Sequence, residues 1–101
     1  MDTRFTDEAL SRVIDQSLIF QCACPAQVAK HILGLRDLHA YQRECLGATD
    51  TDAAVHRRIA ADAEAAHGLL EGCLRAVLEL EGWDLETLEM PAALQKVPRA
   101  M

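Results

Sequence analysis

Aromatic residues are scarce in this chain: one Trp, one Tyr and two Phe in 101 residues. Aromatics interleaved with basic residues, the stacking platform of a single-strand nucleic-acid binder, are therefore absent. The net charge of −6 also argues against a nucleic-acid backbone as partner. No apolar run approaches the roughly 20 residues of a membrane span. The opening Met1-Asp2-Thr3-Arg4 lacks the basic region and apolar stretch of a secretory signal, so a cytoplasmic protein is the expectation. There is no glycine-rich phosphate loop, no serine in an activated setting, no internal repeat and no low-complexity segment. An enzyme is not the leading expectation.

What is present is helix-forming. Half of the residues are apolar, most of them Ala and Leu, and with Glu and Arg they favour helix. The size fits one domain that gains from a partner chain. Three main helices are expected. The first runs from Asp7 to Gln21, with Thr6 as N-cap and Leu10, Val13, Ile14 and Leu18 as its apolar stripe. The second runs from Pro25 to Leu46, with Cys24 as N-cap, Val28, Ile32, Leu35, Leu38 and Leu46 as its stripe, and Gly47 as its stop. The third runs from Asp52 to Glu81, started by Thr49 with Asp52 as a capping-box variant or by Thr51 alone, with Gly82 as the stop.

The short connection makes the second and third helices an antiparallel hairpin. On the third, Ile59, Ala63, Ala66, Leu70, Cys73, Val77 and Leu80 form a coiled-coil-like seam. A second face carries Ala61, Ala65, Gly68, Gly72 and Ala76, suited either to close packing of the first helix or to a dimer contact. A short helical turn is expected from Asp84 to Met90, ended by Pro91. The fold class is thus all-α, a small antiparallel bundle over 1–90 with a weakly structured tail over 91–101, dimerising into a larger bundle.

The chemistry concentrates at Cys22-Ala23-Cys24-Pro25. Thiols at a helix start gain from free N–H groups and the positive helix end, which favour the thiolate. Four cysteines in a reducing compartment read as metal ligands, redox thiols or core residues rather than disulfides. Counting helical rise places Cys22, Cys24 and Cys73 near one end, with His31 and His67 together slightly below, His39 and His56 lower, and Cys45 out of reach within one chain. The expected function is therefore a thiolate-ligated zinc or iron–sulfur centre for electron transfer, sensing or metal handling. Its ligands would be Cys22, Cys24, Cys73, His31 and His67 of one chain, or Cys22 and Cys24 pooled from two chains across a dimer. The alternative is a metal-free thiol sensor or a non-catalytic helical interaction module whose partner is a second copy or another protein. Glu64 and His67 also have the Glu-x-x-His spacing of a di-iron ligand pair, although that site needs further carboxylates from elsewhere. Arg36, Asp37 and Glu44 read as a solvated face with local pairs, and Tyr41 as a cover for the lower core.

Overall fold

A computed structural model of the chain describes residues 1–20, 24–45 and 49–95. It contains three α-helices, α1 (Asp7–Phe20), α2 (Cys24–Glu44) and α3 (Asp50–Glu81), and one 3₁₀ turn (Ala92–Leu94). Among the described residues there is no strand, only an isolated bridge between Asp84 and Glu89. The all-α expectation and the α2–α3 hairpin hold. The predicted ends at Gln21, Leu46 and Gly47 lie outside the described residues, and so does the segment after Gln95.

The helix starts follow local chemistry. Thr6 accepts the Ala9 amide at 3.0 Å, and Thr49, in extended backbone, accepts the Asp52 amide at 3.1 Å. Each side chain satisfies an amide that the helix cannot. Cys24 is the first residue of α2 and not its cap. At the far end of α3, Gly82 has φ 83°, a conformation that suits a residue without Cβ. Its amide reaches Glu79 O at 3.1 Å and that of Trp83 reaches Leu78 O at 2.9 Å, the paired bonds of a Schellman stop.

Past Gly82 the expected turn forms as a single α-turn, Leu88 N donating to Asp84 O at 2.7 Å, and it does not continue as a helix to Met90. Asp84 Oδ1 accepts the amides of Glu86 and Thr87, and Leu88 takes φ 57°. Asp84 thus caps the start of the turn as an N-cap residue would, and the left-handed Leu88 ends it after one turn. The loop is fixed from α1. Gln16 donates to Leu88 O and accepts from Met90 N, and Arg12 Nε donates to Thr87 O at 2.7 Å. Leu88 and Met90 are thereby pressed into the core.

That core joins Leu10 and Val13 of α1, Ala29 and Ile32 of α2, Leu74 and Leu78 of α3, and Trp83, Leu88 and Met90 of the loop. All of it lies in the upper half of the hairpin, where α2 begins and α3 ends. The lower half is two helices thick. The radius of gyration, 16.7 Å, exceeds the roughly 13 Å of a compact 100-residue domain, and the molecule measures 56 × 29 × 17 Å.

The buried line of α3 is shifted from the expected seam. Ala63, His67, Glu71, Leu74 and Leu78 are buried. Ile59, Ala66, Leu70 and Val77 are only half-buried, Cys73 is exposed and Leu80 is 87% exposed. A hydrophobic pattern passes over His67 and Glu71 because they are polar, yet both are inside because they are paired. The Ala–Gly stripe is not covered by α1: a Cβ added at Gly68 or Gly72 would meet no atom within 4 Å. Tyr41 is 63% exposed and covers no lower core.

Candidate functional site

Two features stand behind and in front of the hairpin: a buried polar cluster and an open apolar face. The cluster centres on Arg36, expected as a solvated residue but half-buried in the structure. Its Nε donates to His67 Nε2 at 2.9 Å. Its terminal nitrogens reach Asp7, Phe5 O at 2.6 Å and Glu71 Oε2 at 3.1 Å. Glu71 Oε2 also accepts the amides of Arg4 at 2.7 Å and Phe5 at 3.1 Å. One carboxylate on α3 and one guanidinium on α2 thus hold the segment leading into α1. Burial of this pair is tolerated because Glu71 Oε2 accepts three hydrogen bonds and the guanidinium donates on each of its nitrogens.

His67 is 1% exposed. Arginine only donates, so Nε2 of His67 carries the lone pair and Nδ1 carries the proton. Nδ1 is 3.6 Å from Glu71 Oε1 and has no hydrogen-bond partner. Burial pushes the His67 pKa below its usual value. Glu71 opposes the shift, while Arg36, His39 and the N-terminal amine add to it. The imidazole is therefore neutral, enclosed and occupied by Arg36, a setting that suits a structural role and not a ligand or a proton shuttle. Lower down, His39 Nε2 lies 3.7 Å from exposed Glu64, and His56 Nδ1 pairs with Gln42 Oε1 at 2.6 Å. A polar file thus runs down the α2–α3 seam.

Within one chain the described ligand candidates stand in different surroundings. Cys22 lies outside the described residues. Cys24 and Cys73 are exposed, as is His31, whereas His67 is buried. The height map also shifts. Arg36 meets His67 and Glu71, His39 meets Glu64, and Cys45 shares a hollow with Ala53, His56 and Ala60. The first turns of α3 therefore run below the end of α2. That offset sets Cys73 near the level of His31, about 10 Å below Cys24 by helical rise. Among the described residues no group of three or more His, Cys, Asp and Glu side chains is placed to hold a metal ion. Glu64 turns to His39 and His67 to Arg36, so the Glu-x-x-His pair is not a joint ligand set in one chain.

The open face lies on the side of the hairpin away from α1. An apolar hollow of about 430 Å³ is lined by His31, Gly34 and Leu35 of α2 and by Ala66, Leu69 and Leu70 of α3. A second hollow continues it upward past Gln27, Val28 and Lys30. Leu69 is 76% exposed and Leu38 41%, with Val55 and Leu80 also exposed. Large exposed leucines around an apolar hollow are the usual mark of a binding surface. The thiol-centred reading missed this face, although the signal was there: Cys24, Val28, His31, Leu35, Leu38, Gln42 and Cys45 repeat by four and three along α2, matching the seam on α3.

Comparison with protein-family models, with curated proteins and with solved structures gives no match. Among the described residues no helix is long and apolar enough to cross a membrane. The site has to be argued from its own geometry.

Proposed function

We propose that this chain is a non-catalytic helical association module, in which the open α2–α3 face docks a second copy of the chain to complete a helical bundle. The observation that carries this reading is the hollow between His31, Gly34, Leu35, Ala66, Leu69 and Leu70, bordered by Leu38 and Leu69, which are exposed among the described residues. A hairpin two helices thick buries only part of each helix's apolar surface, and a second hairpin offers a matching surface of the same chemistry. Two-fold dimers are the commonest closed assembly of soluble chains.

Sedimentation velocity over a range of concentrations tests it, with Leu69→Glu as the disrupting variant. The expected result is a dimer for the wild type and a monomer of unchanged helical content for the variant. A wild-type chain that stays monomeric at every concentration would reject the reading.

A further inference from the structure

We propose that the Arg36–His67–Glu71 cluster is an acid-released latch on the segment before α1: protonation of His67 at Nε2 expels the Arg36 guanidinium and frees Arg4 and Phe5 from the hairpin, while the core above stays closed. The inference concerns the covered side of the hairpin and is independent of association through the open face.

Four hydrogen bonds tie this segment to α2 and α3. Glu71 Oε2 accepts the amides of Arg4 and Phe5, and Arg36 donates to Phe5 O and to Asp7. Two of the four therefore come from one guanidinium. Its donors form a rigid planar fork, so they are aimed together or lost together. What aims the fork is the bond from Arg36 Nε to His67 Nε2 at 2.9 Å. Nε2 is an acceptor only while the ring is neutral. A proton there sets N–H against N–H and cation against cation, in a place where little water screens them.

Burial decides which partner moves. His67 is 1% exposed on the buried line of α3. Its Nδ1 lies 3.6 Å from Glu71 Oε1, and a charged ring is drawn further onto that carboxylate. The Arg36 side chain is 14% exposed and reaches Asp7, whose side chain is 71% exposed, so the arginine has a way outward. Glu71 then serves a buried cation as well as the Arg4 and Phe5 amides, and one proton weakens every anchor of the segment. Phe5 is only half-buried at the edge of the core, and Arg4 and Thr6 are exposed. Above them α1 stays fastened to the loop through Arg12 and Gln16, which keeps the opening local.

The charges around His67 set the direction. Arg36 and His39 of α2 and the amine of Met1 resist its proton, and Glu71 on its own helix favours it. Asp7 and Glu64 stand one step away, on Arg36 and His39. Burial is the largest influence and also resists the proton. The latch is therefore shut at neutral pH and opens on the acid side of the ordinary histidine value of about 6.5. Nδ1 already carries a proton, so the incoming one competes with Arg36 for Nε2.

Nitrogen-15 relaxation of the full chain from neutral to mildly acidic pH tests this, with the His67 ring titration followed in the same samples. The order parameters of Arg4 and Phe5 should fall from about 0.85 to below about 0.6 with the midpoint of that titration, while those of Leu74 and Leu78 stay constant. His67→Gln keeps an acceptor for Arg36 and takes no proton, so it should hold Arg4 and Phe5 ordered across the range. Arg36→Lys keeps the charge and loses the fork, so it should leave them mobile at neutral pH. Wild-type values that stay high through the His67 titration, or are low already at neutral pH, would overturn the latch. So would an unchanged acid response in His67→Gln, or loss of order at Leu74 and Leu78 with the same midpoint, which is global unfolding.

Discussion

The two faces of the α2–α3 hairpin carry similar apolar patterns and meet different fates. The covered face packs Ala29, Ile32, Leu74 and Leu78 under α1 and the 83–90 loop and keeps its charges enclosed with partners. The open face presents Leu38 and Leu69 to solvent and lines a hollow with half-buried Leu35 and Leu70. Periodicity alone does not say which face closes within one chain. What decides is the capping material. Gln16, Arg12 and the Arg36–Glu71 pair fasten α1 and the loop to one side, and no segment among the described residues is left for the other.

The strongest way to break the contrast is to open the covered side. Arg36→Ala leaves the Glu71 carboxylate buried with only backbone partners, and removing one member of a buried pair costs about 3–5 kcal/mol. Urea denaturation should show that loss. Leu74→Ala should cost about 2–5 kcal/mol through the cavity it leaves. By contrast, Leu69→Ala on the open face should change the stability of the isolated chain by less than about 0.5 kcal/mol while weakening association. If the two leucines cost the same under conditions where the chain is monomeric, the distinction between the faces fails.

A pH titration sharpens the same contrast from the buried side. His67 has a folded-state pKa below its unfolded value of about 6.5. Below that pH the unfolded chain binds a proton that the folded chain resists. Stability is therefore full above about pH 6.5 and falls as the pH drops toward the folded value. His67→Gln should remove this part of the acid sensitivity, as read by denaturation midpoints between neutral and mildly acidic pH. A control that touches neither face is Thr49→Ala. The α3 cap is exposed and remote from both faces, so it should cost about 1 kcal/mol and leave association unchanged.

The helices were legible because their signals are local. Thr6, Thr49 and Gly82 cap where their chemistry says they should, and the short connection forces the hairpin. The inward faces were less legible. Arg36, His67 and Glu71 look solvated one residue at a time, and only the pairing of three elements makes their burial tolerable. The 84–90 turn starts on a local signal, Asp84 capping the Glu86 and Thr87 amides, but its end depended on Gln16, more than 70 residues away in sequence. The thiol site was reasoned from helix rise, which gives spacing along an axis and says nothing of how far α3 overruns α2. That overrun moved Cys73 away from Cys24.

Trp83 is the one tryptophan in the chain. It sits 5% exposed beside Leu78 at the stop of α3, its Nε1 donating to Glu81 at 2.9 Å. Its fluorescence is consequently a native optical probe of the side that α1 closes and is blind to the hollow on the other side. Emission should shift when the core opens and stay constant when two chains part. Any dilution series that moves the sedimentation coefficient without moving the tryptophan spectrum would read the two sides of the hairpin separately, with no label attached.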